Sequence, residues 1–179
     1  MSKMNEEIIM AGFGGQGIMM MGKLLSYAGM KEDKEVSWMP SYGPEMRGGT
    51  ANCTVIVSDK KIPSPMSSRP DTIIVMNLPS LDKFLPKVKS GGTVLLNSSL
   101  IEKDVEREDV KVIKVPANEI ANELGNAKVA NMVMLGSYIE EKDVVKPHTV
   151  KKSLESVLSA RNQSLIDMNI KALDRGKEY

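Results

Sequence analysis

Short apolar runs alternate with helix-spaced stretches through most of the chain. Glu6–Ala11 is an apolar run closed by Gly12-Phe13-Gly14-Gly15-Gln16-Gly17, and Ile18, Met21, Leu24, Leu25 and Ala28 then recur at helical spacing up to Met30. That order reads as strand, glycine turn, helix. A second strand is predicted over Glu35–Met39, stopped by Pro40, and a third, β-branched one over Thr50–Ser58 ahead of the polar Asp59-Lys60-Lys61 turn. Between them Ser41–Gly49 is too rich in Gly and Pro for a regular element, and Pro63–Pro70 is another connection. Strands follow at Thr72–Met76, Thr93–Asn97 and Val110–Val115, with a short helix at Leu81–Val88. From Ala117 onward the pattern is helical, with Val129, Met132, Val133, Leu135, Gly136 and Ile139 on one side, and further helices are predicted at Val150–Ala160 and Gln163–Asp174. Strands separated by crossovers predict an α/β, Rossmann-like fold: a largely parallel sheet with flanking helices and a helical C-terminal portion, expected as one domain over residues 1–179.

In such sheets ligands sit outside the carboxyl ends of the strands. Both glycine-rich loops leave strands at that end, so the topology predicts that they lie close together. Gly12-x-Gly14-x-x-Gly17 has the spacing at which backbone N–H groups of a helix start approach an anion, because no Cβ intervenes. The acidic residue that would hold ribose hydroxyls after the second strand is missing, since Trp38-Met39-Pro40 stands there. A tight turn without a ligand therefore remains the alternative. The Lys-Ser/Thr pair of a P-loop is absent: Lys23 precedes Leu24. In the second loop Tyr42, Glu45 and Arg47 put an aromatic, an acid and a fixed cation together. Arg47 has the fork to take a carboxylate or phosphate, or Glu45 itself, so the loop is either the wall of a shared pocket or a surface loop with an internal ion pair.

Composition narrows the chemistry. The 179 residues are 41% hydrophobic and 26% charged, ordinary for a globular protein. Lys and Arg number 24 against 23 Asp and Glu, with no basic arm in either half, which argues against nucleic acid as a partner. One cysteine and one histidine supply neither an internal disulfide nor a zinc, haem or iron–sulfur ligand set. The start of the chain lacks a signal-peptide pattern and no stretch is long and apolar enough to span a bilayer, so a cytoplasmic, membrane-free location is expected. Cys53 in its apolar run reads as an inert buried thiol, His148 after Pro147 as a local or surface residue at a helix start, and Met19-Met20-Met21 as filling under the sheet. Asn97-Ser98-Ser99 and Asn77-Leu78-Pro79-Ser80 offer small polar groups at the ligand edge. No nucleophile–base pair is identifiable, so no catalytic residue is named and the chain reads as part of a catalyst.

Three segments together carry a resemblance: Gly12–Gly17, the run Pro40-Ser-Tyr-Gly-Pro-Glu-Met-Arg-Gly-Gly-Thr-Ala-Asn-Cys53, and Asp71 followed by Met76-Asn77-x-Pro79-Ser80. From about Glu6 to Tyr138 the chain resembles the gamma subunit of 2-oxoacid:ferredoxin oxidoreductases, and its Tyr42–Gly49 form looks most like the 2-oxoglutarate and branched-chain members. The resemblance implies an oxidoreductase of several subunits, inactive as this chain alone. Such an enzyme decarboxylates a 2-oxoacid, 2-oxoglutarate being favoured, reduces ferredoxin and delivers the acyl group to coenzyme A. Thiamine diphosphate and iron–sulfur clusters would then belong to partner chains: alpha and beta subunits, and a delta or ferredoxin-like one. Gly12, Gly14, Gly15, Gln16, Gly17, Tyr42, Glu45 and Arg47 are the residues expected on the coenzyme A side of the site or its interface. Two other readings stay open: a stand-alone dinucleotide-dependent oxidoreductase, and a non-catalytic assembly module.

Overall fold

The computed structural model describes residues 4–41 and 50–179. Among the described residues six strands form one sheet: β1 (Asn5–Phe13), β2 (Glu35–Ser41), β3 (Thr50–Ser58), β4 (Thr72–Val75), β5 (Thr93–Asn97) and β6 (Lys111–Val115), in the order β2-β3-β1-β4-β5-β6. The helices are α1 (Ile18–Lys31), α2 (Leu78–Phe84), α3 (Ala117–Glu123), α4 (Ala130–Lys142), α5 (Pro147–Val157) and α6 (Ile166–Gly176). β1, β4, β5 and β6 pair in parallel, as expected of strands joined by crossovers. β3 departs from that rule. It lies antiparallel between β1 and β2; only residues 42–49 separate β2 from β3, fewer than the about a dozen that a crossover to a parallel neighbour needs.

Several boundaries differ from the sequence reading. β2 runs through Pro40 to Ser41 rather than stopping before the proline, since it is an edge strand and a missing N–H costs nothing on an edge's open side. α2 begins at Leu78, three residues earlier than predicted, because the Asn77 side chain accepts the Ser80 N–H and Pro79 suits the first turn. α5 starts at Pro147, with His148 exposed in its first turn, and α6 runs to Gly176 after a 3₁₀ stretch.

The sheet is covered unequally. On one face α1, α3, α4, α5 and α6 bury a large core including Ile8, Met10, Met21, Leu24, Leu25, Val55 and Tyr138. The other face has a smaller core of Ile9, Ala11, Ile73, Val75, Leu81 and Phe84, under α2 and the 3₁₀ turn Leu85–Lys87. Met21 and Cys53 are wholly buried in the larger core, and Met19 and Met20 pack at its margin. Ser41, Asn52, Ala11, Val75, Leu96 and Lys114 stand in one row across the strands. Phe13 pairs with Thr50 just beyond it, so the ends of β1 and β2, and with them the roots of both glycine-rich loops, share one sheet end.

Candidate functional site at the C-terminal end of the sheet

Gly17 is the N-cap of α1, at φ 75°, and among the described residues no side chain caps this helix end; its first turn carries no acid. The first bonded amide is that of Met21, donating to the Gly17 carbonyl, which leaves the amides before it directed at the sheet end. A fourteen-residue helix thus presents its positive pole there. A Cβ on Gly17 would run into the Asn131 side chain of α4, whose Nδ2 donates to the Gly17 carbonyl at 3.1 Å. At Gly12 a Cβ would meet Gln16 Oε1 at 2.5 Å and Met76 Cβ at 2.9 Å. Gly15, at φ 90°, has open space where a Cβ would project, and Gly14 and Gly15 are exposed.

Gln16 occupies a different position from that expected of a simple ligand contact. Its Oε1 accepts the Phe13 N–H at 2.6 Å and its Nε2 donates to the Met76 carbonyl at 3.4 Å, so the amide ties the end of β1 to the end of β4. Beside it opens a cavity of about 160 Å³, lined by Gly15, Gln16, Met76, Asn118 and Lys128 among others. Asn118 is held by Asn97, whose Nδ2 donates to Asn118 Oδ1 at 2.7 Å. Lys128, Asn118 and Asn131 were not singled out from sequence, being a hundred residues or more from the loop. Met132 and Val133, which begin the apolar stripe of α4, were the nearest available signal.

Other expected contributors fall elsewhere. Asn77 and Asn97 are 2% and 0% exposed and spent on local structure, the first capping α2 and the second orienting Asn118 and the Ser99 amide, so they do not line a ligand surface. Trp38 is paired with Val55, which is paired with Ile8, about 16–17 Å along the strands from the Phe13 end. It lines a separate groove with Lys23, Tyr27 and Met30, so it stands away from the Gly12–Gly17 loop. Tyr42, Glu45 and Arg47 lie outside the described residues.

The donor set fits an anion better than a redox centre. Cys53 is buried, and burial pushes its thiol up to about 12, which keeps it protonated and unsuited to hold iron. Among the described residues no group of three or more His, Cys, Asp or Glu is arranged to hold a metal ion, and no helix is long and apolar enough to cross a membrane. Helix-start amides without a partner among the described residues, a positive-φ glycine and a lysine around a small cavity are instead the ingredients of a phosphate-binding corner.

Comparison with known proteins agrees with that architecture. The family described as pyruvate ferredoxin/flavodoxin oxidoreductase matches residues 7–179. The 2-oxoglutarate synthase subunit KorC of Methanocaldococcus jannaschii is 35% identical over 179 residues, covering 98% of this chain and 94% of that relative. The ketoisovalerate oxidoreductase subunit VorA of Methanothermobacter marburgensis is 37% identical over 170 residues, but this chain spans only 35% of its length. A 2-oxoglutarate:ferredoxin oxidoreductase from Magnetococcus marinus, solved with 2-oxoglutarate, coenzyme A and succinyl-CoA bound, superposes with a TM-score of 0.89 at 25% identity. That match covers 99% of this chain and 31% of the other.

Proposed function

The chain belongs to the pyruvate ferredoxin/flavodoxin oxidoreductase family, and on that footing we propose that it is the gamma subunit of a 2-oxoglutarate:ferredoxin oxidoreductase and forms the coenzyme A side of its active site. The observation that carries the substrate is the end-to-end match with a 2-oxoglutarate synthase subunit, 98% of one chain on 94% of the other. Coenzyme A bears phosphates, and the open amides at the start of α1, exposed Gly14 and Gly15, and Lys128 are suited to one of them. Gly12, Gln16 and Gly17 act on this reading by fixing the shape of the loop. Arg47, whose guanidinium fork suits a carboxylate or phosphate, would add a second anion contact on this reading.

The cavity of about 160 Å³ is smaller than the several hundred Å³ that a cofactor-sized ligand fills, so this chain supplies one wall and partner subunits the rest. Thiamine diphosphate on a partner would supply the decarboxylation chemistry, and iron–sulfur clusters there would supply the route for electrons to ferredoxin. What this chain contributes is orientation and charge: the helix pole and Lys128 hold the phosphate end of coenzyme A, which positions its thiol without taking part in proton transfer. Ketoisovalerate is the second reading, favoured by the 37% identity to VorA.

Both parts are tested on the assembled enzyme. Lys128→Ala is expected to raise the KM for coenzyme A about tenfold or more, the size of a lost hydrogen bond to a charged group. The turnover at saturating coenzyme A and the KM for the 2-oxoacid should stay unchanged. An unaltered KM for coenzyme A would remove this chain from that site. Turnover on 2-oxoglutarate well above that on 3-methyl-2-oxobutanoate is expected; the reverse preference would establish the ketoisovalerate reading.

A further inference from the structure

Among the described residues, three exposed large apolar side chains share one end of the sheet on its α2 side. Phe13 ends β1 and continues the alternation of Ile9 and Ala11 onto that face. Leu78 opens α2 just after β4, and Leu100 follows β5, next to Ile101, which is buried on the same side. They are 43%, 40% and 47% exposed. Since β4 lies between β1 and β5, their exits fall within about 10 Å of one another at ordinary strand spacing. The backbone beneath them is fixed: Gln16 accepts the Phe13 N–H, Asn77 caps the helix that Leu78 begins, and the Leu100 N–H donates to the Asn97 carbonyl at 3.1 Å. Clustered apolar side chains on rigid backbone, beside an unfinished cavity, mark a contact surface rather than scattered exposure.

We propose that Phe13, Leu78 and Leu100 form the docking surface for a larger subunit of the same oxidoreductase, the counterpart of the polypeptide that relatives carry joined to this fold. This rests on the gamma-subunit reading above. In VorA and in the M. marinus protein the matching part is 35% and 31% of the chain, so most of each polypeptide lies outside this fold yet is bound to it permanently. A permanent neighbour of that size is the occupant that removes standing apolar exposure. Docking at this end also sets it against the cavity beside Gln16, whose missing walls it would complete.

The test uses the chain co-expressed with the remaining subunits of its own oxidoreductase. On assembly, hydrogen exchange is expected to slow at the amides around Phe13, Leu78 and Leu100. Leu78→Glu combined with Leu100→Glu should weaken assembly at least tenfold while the thermal midpoint of the uncomplexed chain stays the same. Met66→Glu, at a 70% exposed methionine between β3 and β4, should change it less than twofold. Assembly with wild-type affinity by the double variant, or unchanged exchange at the three positions, overturns the docking surface and leaves the gamma-subunit reading standing. Failure of the wild-type chain to join those subunits overturns both.

Discussion

At Gly17 two constraints coincide: the backbone is left-handed at φ 75°, and the space a side chain would need holds Asn131. The left-handed backbone alone costs an L-residue about 1–2 kcal/mol, and displacing Asn131 also forfeits its hydrogen bond to the Gly17 carbonyl. Gly17→Ala is therefore expected to lower unfolding free energy by at least about 2 kcal/mol. Asn131→Ala should absorb part of that loss when combined with it, and costs that simply add in a denaturant-based double-mutant cycle would refute the coupling. Glu6 stands at the opposite end of the sheet. Burial raises its pKa, aided by nearby Asp71, although it accepts the Thr72 hydroxyl at 2.5 Å and faces Lys142 at 3.5 Å. The folded state thus keeps a proton that the unfolded chain releases above about pH 4.3. Stability attributable to this group is greatest below that pH and falls as pH rises through the folded value. Glu6→Gln keeps an acceptor for Thr72 and removes the titration, so the wild type should lose ground to the variant as pH rises above about 4.3. A constant difference, measured by urea unfolding at each pH, would show that Glu6 does not titrate this way.

Among the elements, β2, β3 and α2 show what local pattern does and does not encode. The glycine turn after β1 and the helix behind it were legible because strand alternation, Gly spacing and helical spacing are all short-range signals. The insertion of β3 between β1 and β2 was not, since pairing partners are settled by tertiary packing as well as by the strand's own residues; the one hint was the shortness of the Gly- and Pro-rich stretch between the two runs. Asn77 and Pro79 were read as a ligand edge when their helix-start chemistry was the stronger signal. Asn118, Lys128 and Asn131 reach the loop only through the folding back of α3 and α4, which no nearby spacing encodes. The α4–α6 crossing yields an element-scale prediction. A Cβ on Gly136 would strike the backbone carbonyl of Leu173, and one on Gly176 that of Val133, so the two helices touch through their backbones. Backbone cannot yield as a flexible side chain does. Gly136→Ala should cost about 1–3 kcal/mol despite the better helix propensity of alanine, as for other overpacked sites. An unchanged or raised thermal midpoint would mean that the helices separate freely.

The molecule as a whole divides its labour between its two ends. Ion pairs such as Lys89 with Asp71 and Lys142 with Glu6 gather where β1 and β4 begin, while the open helix pole, the cavity and the exposed apolar triad occupy the end where they finish. Between the ends, the body of the sheet must remain closed for the site end to keep its geometry, and Cys53 is a built-in reporter of that closure. It is the chain's one cysteine, sits on β3 between two neighbouring strands and lies beneath α1, where a Cβ on Gly22 would meet its sulfur at 2.6 Å. With 0% exposure and a thiol pushed up to about 12 by burial, it has no reactive thiolate in the closed state. A thiol reagent can reach it only after α1 lifts from the sheet, an opening that would expose most of the larger core. Labelling should therefore be slow in buffer and rise with urea along a slope close to that of global unfolding. Under conditions where reclosing outpaces reaction, its rate should follow the equilibrium between closed and open chains. Rapid labelling without denaturant, or a rate insensitive to urea, would mean that α1 detaches by itself and that its N-terminal pole is not held as a fixed wall.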